Sequence, residues 1–435
     1  MLSVLGIFVG LVLLVFFAFR GASLVWAAPI CALIVALSGG LDLYQAYTDT
    51  YMQGFIGFTK SWFPTFMISA IFGRILEVSG GAQSLTQWIV KKLGADKAIL
   101  ISMVSGGILA YGGISGFVII FTMYPVVINL FKSGNIPNRL IPATIMVGAF
   151  QFAMSAPGAP TIQNLIPMEY FGTTAMAAPI LGFISVALMF VLAYIWLEYR
   201  VKKLRANGEH FTEPERKVSE IPEADLPNPI TSTLLPFILI LITLNVLKKP
   251  IEIALLVGVV VAMIFNYTYI IKQNDTVFNV FNIGSRSAIS AIINTSAAVG
   301  FGTVVKTSPG FQHLVDIVIN IGGHPIFGLM IAVNILAAAT GSASGGLAIA
   351  LDALGAHYVQ IAQAQGLNIA VFHRVATLSC GGLNTMPHDG AVVTYLDYCG
   401  INHKSGFFDM FITSGLIPIL VSILAAVIYI VFGIV

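Results

Sequence analysis

The chain reads as long apolar stretches divided by short polar breaks. Apolar runs cover residues 2–19, 22–39, 61–78, 174–197, 231–247, 251–271 and 408–431. Each is close to the roughly 18–25 residues that an α-helix needs to cross a bilayer. In the first half the pattern predicts helices at 2–19, 22–40 and 60–79 and a surface helix at 82–93. A hairpin with arms at 98–110 and 115–131 follows, then a helix broken between 139–154 and 161–170, and a closing helix at 174–198.

The same framework occurs twice. An ungapped shift of 229 places Phe72 and Gly73 on Phe301 and Gly302, and Ser79, Gly81, Gln83 and Leu85 on Ser308, Gly310, Gln312 and Leu314. Further on, Gly94 meets Gly323, Ala110 meets Ala339, and Gly112, Ser115 and Gly116 meet Gly341, Ser344 and Gly345. Two related halves with glycine-rich interruptions at matched positions are the sequence signature of a secondary transporter. The expected fold is an all-α polytopic membrane protein of two inverted repeats, each with a re-entrant hairpin and a broken transmembrane helix. Repeat A spans 1–198, with its hairpin at 98–131 and broken helix at 139–170. A linker covers 199–229, and repeat B spans 230–435, with its hairpin at 325–356 and broken helix at 375–398.

Composition removes the soluble alternatives. The chain is 57% hydrophobic and 9% charged, against about 25% charged in an ordinary soluble domain. The first apolar run lacks a basic leader and a cleavage site followed by a soluble domain, so it reads as a transmembrane helix rather than a signal peptide. Cys31, Cys380 and Cys399 have no CxxC spacing and make no case for a disulfide or a metal. No cofactor is expected. A net charge of +2 without a basic face gives nothing for nucleic acid.

One stretch, 198–229, reads as water-soluble. It carries Arg200, Lys202, Lys203, Arg205, Arg216 and Lys217, which places it in the cytoplasm. If each repeat crosses the membrane an odd number of times, the amino terminus lies outside. Sixteen of the 21 basic residues then fall inside, and Lys60, Lys248, Lys249, Lys306 and Arg374 fall outside.

Helix-breaking sequence at membrane depth needs protein or water around its free backbone groups. Four such places recur: the turns 111–115 and 340–346, and the interruptions 155–161 and 379–390. Each leaves a helix amino terminus with unpaired N–H donors and partial positive charge. Converging, they form a pocket suited to a small carboxylate. A lone Gly or Ser in a membrane helix more often serves close packing, but four breaks at matched positions favour a site. His388 and Asp389 lie in an otherwise apolar segment and suit a coupling proton. Equally, Asp389 caps the helix that starts at Gly390. Asp352, apolar on both sides, is the other proton candidate. Arg74 and Glu77 are spaced to pair locally, and His313 and Asp316 sit on an interfacial segment. His357, His373 and Arg374 flank an outer loop and read as solvated, with Arg374 able to draw anions toward an entrance.

Residues 155–165, 340–347 and 380–397 resemble the GntP family of gluconate and hydroxy-acid permeases, within the wider ion transporter superfamily, and the likeness runs along nearly the whole chain. The 380–397 segment is similar to that of family permeases associated with 3-hydroxybutyrate. The resemblance implies proton-driven transport of an organic monocarboxylate, a homodimer joined through outer helices, and the bacterial inner membrane. Superfamily relatives that use sodium often carry Ser-Asn-Thr at the hairpin turns; here the turns lack Asn, which favours protons and leaves sodium open. The expected site draws on Gly112, Gly113 and Ser115, on Gly341, Ser342 and Ser344, and on Thr161, Gln163, Asn164, Asn384 and Thr385. His388 with Asp389, or Asp352, carries the proton. The rival classes are a sodium-coupled carboxylate carrier, a membrane-embedded enzyme using His388 and Asp389 as an acid–base pair, and a passive anion channel. No nucleophile motif supports the enzyme, and matched breaks in both halves argue against it.

Overall fold

The computed structural model describes residues 2–20, 22–94, 97–214, 221–311, 313, 323–387 and 389–435. Among them all regular structure is helical. Repeat A runs α1 (Leu2–Phe19), α2 (Leu24–Gly39), α3 (43–78), α4 (Gly81–Leu93), α5 (Ala98–Tyr111), α6 (Gly116–Ser133), α7 (138–155), α8 (Ile162–Phe171) and α9 (Pro179–Ala206). Repeat B runs α10 (Ile230–Val246), α11 (Ile251–Lys272), α12 (Val277–Thr307), α13 (Pro325–Thr340), α14 (Ala343–Gln365), α15 (Ile369–Cys380), α16 (Gly390–Tyr398) and α17 (His403–Phe432). Helix for helix the order is the same, apart from the segment equivalent to α4, most of which lies outside the described residues.

The contacts between repeats are reciprocal. α3 packs on its own equivalent α12, and α9 on α17; α2 packs on α12 as α11 packs on α3, and α8 on α14 as α16 on α6. Such self-complementary pairing is what a two-fold relation between the halves produces. With an odd number of crossings per half, that relation is an inverted repeat.

Local sequence explains most helix ends. Asp42, Thr276, Asn368 and Asn402 each accept a backbone N–H of the following first turn. Glycine permits the closest crossings. A Cβ on Gly148 would lie 2.3 Å from the Met103 carbonyl oxygen, and one on Gly346 would lie 2.3 Å from the Ala337 Cα. The first clamps α5 on α7, and the second holds together α13 and α14, the two arms of the repeat B hairpin (hairpin 2, as α5 and α6 form hairpin 1). On α1, α9, α11 and α17, large apolar side chains such as Val12, Ile195, Ile264 and Val431 are exposed, as lipid-facing positions require. An apolar groove of about 490 Å³ between α11 and α12, lined by Val259, Met263, Tyr267 and Phe281, lies away from every helix break.

Several sequence expectations need correction. The helix expected at 60–79 begins at Leu43, because Asp42 caps it and a π-helical turn at Ala46–Tyr51 carries it through its polar stretch. α9 begins at Pro179 rather than 174 and continues to Ala206, so residues 199–206 are helix rather than linker. Arg200 is buried there against Asp409, because its carboxylate partner came from the other repeat. The described residues after 220 are docked on α4: the Gln83 side chain exchanges hydrogen bonds with the backbone of Ile221, and Lys91 pairs with Glu223. Hairpin 2 extends to Gln365, and the second broken helix begins at Ile369. Arg74 pairs with Glu77 at 2.9 Å as expected, and also reaches Asp275 of the other repeat at 3.6 Å.

Candidate functional site

Hairpin 1 turns through Gly112 and Gly113, where φ is +100° at Gly113, and α6 starts at Ser115. The turn seats against repeat B. A Cβ on Gly112 would lie 2.3 Å from the Phe237 ring, and one on Gly113 3.3 Å from Leu255 and 3.5 Å from Pro160. The Gly113 carbonyl accepts from the Ser69 hydroxyl at 2.7 Å, and the Tyr111 hydroxyl donates to the Pro157 carbonyl at 2.7 Å. Hairpin 1 is thereby fixed on break 1, residues 156–161, the gap between α7 and α8.

The four helix starts at the turns and breaks differ in how their amides are satisfied. In repeat B, Ser342 accepts from the Gly345 N–H at 3.1 Å at the start of α14. Asp389 accepts from Ala391 and Val392 N–H at 2.8 and 2.9 Å at the start of α16. In repeat A, neither Ser115 nor Thr161 caps its helix with its side chain. The Thr161 hydroxyl instead donates to the Ala153 carbonyl at 3.0 Å. Gly113 and Pro160, which precede the uncapped starts of α6 and α8, lie against each other, and Ser115, Thr161 and Gln163 are only partly buried. Two uncapped helix amino termini whose lead-in residues meet form an environment that favours an anion.

Break 1 is held from the other repeat. Arg374 and His373, on α15, are both 0% exposed, which corrects the expectation that they are solvated. The Arg374 guanidinium donates to the carbonyls of Ser155 (2.7 Å), Ala175 (3.3 Å) and Ala177 (2.7 and 3.1 Å) and to Asn164 Oδ1 (2.9 Å). Asn164 Nδ2 donates to the Ala159 and Ala175 carbonyls, and His373 bridges Thr173 Oγ1 at 2.6 Å and Asn164 Oδ1 at 3.3 Å. Asn164 is thus committed to the scaffold of the break. His357 is half-buried, with its Nε2 out of contact with solvent.

Break 2, residues 381–389, is held in the reverse sense. Gln151, in a π-helical turn at Val147–Phe152 of α7, donates from Nε2 to the carbonyls of Gly381 (3.2 Å) and Ser414 (2.7 Å). Ser414 lies in a second π-helical turn, Ile412–Leu416 of α17. Such turns shift the backbone ladder and leave carbonyls available to side chains. The same carbonyl accepts from Thr385 Oγ1 at 2.8 Å. Asn334 of hairpin 2 accepts from the Leu383 N–H at 3.1 Å. Asn384 is buried, and Ser344 lies 3.4 Å from the Ser342 hydroxyl.

The two hairpins meet through break 1, break 2 and their half-helices. Asp389 takes the capping role that was one of its two expected roles. Asp352, flanked in sequence by the apolar Leu351 and Ala353, is exposed and ion-paired with Lys306 at 3.1 Å. His388 lies outside the described residues, as do Asp316, Gln312 and Leu314. Gln151, Asn334, His373 and Arg374 were missed as site residues. For His373 and Arg374 the signal was present: two ionisable residues inside an apolar segment, the criterion that singled out His388 and Asp389. Burial of Arg200 and Arg374 also leaves one basic residue expected inside and one expected outside away from solvent.

Over 93% of its length the chain is 36% identical to the uncharacterized transporter YxjC of Bacillus subtilis, and the match covers 94% of that protein. The chain belongs to the family of YxjC. A second relative, an uncharacterized transporter of Haemophilus influenzae, is 23% identical over 55% of each chain. Among solved structures, the Alcanivorax borkumensis YdaH transporter superposes with a TM-score of 0.60 over 88% of both chains at 16% identity, which shows a shared fold. No family model matches the chain. The relatives and the lipid-facing helices together identify a multi-pass membrane transporter.

Proposed function

We propose that this transporter imports a small hydroxy-monocarboxylate, 3-hydroxybutyrate or gluconate, by proton symport with alternating access. The observation that carries the proposal is the pair of uncapped helix starts, α6 after Ser115 and α8 after Thr161, led into by hairpin 1 and break 1 where Gly113 meets Pro160. The substrate carboxylate lies against these amides, with Ser115 and Gln163 donating to it and Thr161, whose hydroxyl is given to the Ala153 carbonyl, lining the site at the start of α8. Gly112 and Gly113 let the backbone approach, while Ser342, Ser344, Gly341, Asn384 and Thr385 line the repeat B side. Likeness of residues 155–165, 340–347 and 380–397 to GntP permeases supports a hydroxy acid. The short polar groups favour the four-carbon acid over gluconate. The coupling proton resides at break 2, on Asp389 with His388, because Asp352 already pairs with Lys306. The setting is the bacterial inner membrane, as a homodimer with the linker in the cytoplasm.

The site is tested by binding. Removing a hydrogen bond to a charged group costs about 1.5–3 kcal/mol, so Ser115→Ala and Gln163→Ala should each weaken 3-hydroxybutyrate binding by roughly tenfold or more. Ser342→Ala, which removes a cap from α14, should loosen hairpin 2 with a smaller effect on affinity. Isothermal titration of the purified variants measures both. Unchanged affinity in Ser115→Ala and Gln163→Ala would place the carboxylate elsewhere.

A further inference from the structure

We propose that the Arg374 guanidinium is the resident cation of break 1, filling an oxygen cage that would otherwise call for a bound alkali ion. The cage draws on both ends of the interruption. Ser155 supplies a carbonyl from the carboxyl end of α7, Asn164 an amide oxygen from α8, and Ala175 and Ala177 carbonyls from the segment before α9. Every partner is an uncharged oxygen. None of the ion pairs among the described residues includes Arg374.

A buried charge without a countercharge is costly, and it is tolerated here because the carboxyl end of α7 carries partial negative charge and unpaired carbonyls. Space is reserved for it: a Cβ on Gly182 would lie 2.8 Å from Arg374 Nε. The guanidinium arrives from α15 of repeat B, so it also ties the two repeats together at this point. Break 2 is built differently. There the neutral Gln151 bridges two carbonyls, and its own Oε1 is buried with no partner. Cation balance is therefore permanent at break 1, and of the two breaks it is break 2 that leaves an opening for a coupling ion. That last step rests on the transport reading; the cage itself does not.

A purely structural peg would need only hydrogen-bond donors of the right size. A resident cation needs charge, and the two are separable without any substrate. Arg374→Ala in nanodiscs should melt below the parent protein, and millimolar methylguanidinium should raise the variant's Tm by about 3 °C or more while leaving the parent unmoved. Sodium chloride, against an N-methylglucamine control, should give a smaller rise in the variant alone. An equal response in both proteins, or none in the variant, overturns the proposal. Where Arg374→Ala does not fold, Arg374→Lys and Arg374→Gln decide: the lysine variant should melt higher, and a glutamine variant equal to or above it contradicts a role for charge. A failed uptake assay would leave these outcomes intact.

Discussion

Replacing Asp409 by alanine is expected to destabilise the protein by about 3–5 kcal/mol, the cost of leaving one member of a buried ion pair alone. The Asp409 side chain is 0% exposed, and Arg200 grips it in two-pronged fashion, Nε to Oδ1 at 2.6 Å and Nη2 to Oδ2 at 3.1 Å. Trp196 Nε1 donates to the same Oδ1 at 3.1 Å, and the Arg200 guanidinium lies 5.7 Å from the Phe408 ring centre. The pair joins α9 to α17, the last helices of the two repeats, so its loss uncouples their ends as well as exposing a charge to an apolar interior. Thermal melting of the solubilised variant, read through tryptophan emission, measures the effect. The double variant Arg200→Met with Asp409→Leu should recover most of the loss, since a well-packed apolar pair replaces a buried ion pair at little cost. A single variant as stable as the parent would show that the pair carries no such burden.

Gln151→Met is expected to cut transport at least tenfold while lowering stability only by about 1–3 kcal/mol. Methionine fills the same volume but cannot donate to Gly381 and Ser414, the two carbonyls through which repeat A holds break 2. The stability cost is limited because the substitution also removes the unpartnered Oε1. Function is more sensitive, because break 2 carries Asn384, Thr385 and Asp389 and its position is set across the repeat boundary. Initial uptake rates and melting temperatures on the same preparation separate the two effects. Normal transport with lowered stability would make Gln151 a packing residue only.

Much of this architecture was legible in the sequence, for a definite reason. Turns such as 111–115 and 340–346 concentrate glycine and serine where apolar helices must stop, and breaks such as 155–161 add proline, so the hairpins and interruptions announce themselves locally. What stayed hidden depends on reach between repeats. Arg374 and Gln151 each cross to the other repeat's break, and the 229-residue shift pairs them with Ile145 and Cys380, so the internal repeat conceals them. Arg200 looked like one more basic residue of a soluble linker because its partner, Asp409, lies 209 residues away. Asp389 was ambiguous in sequence, since a cap and a proton carrier use the same carboxylate; its two bonds to backbone N–H groups establish the cap. The asymmetry of capping between repeats, the basis of the proposed site, needed backbone geometry at Ser115 and Thr161.

The most direct test of the account is uptake of labelled 3-hydroxybutyrate and gluconate into proteoliposomes under an imposed inward proton gradient, without sodium. The account predicts uphill accumulation of 3-hydroxybutyrate, faster than gluconate, that collapses on adding a protonophore. Accumulation only when a sodium gradient is supplied, or equilibration without accumulation, would contradict it.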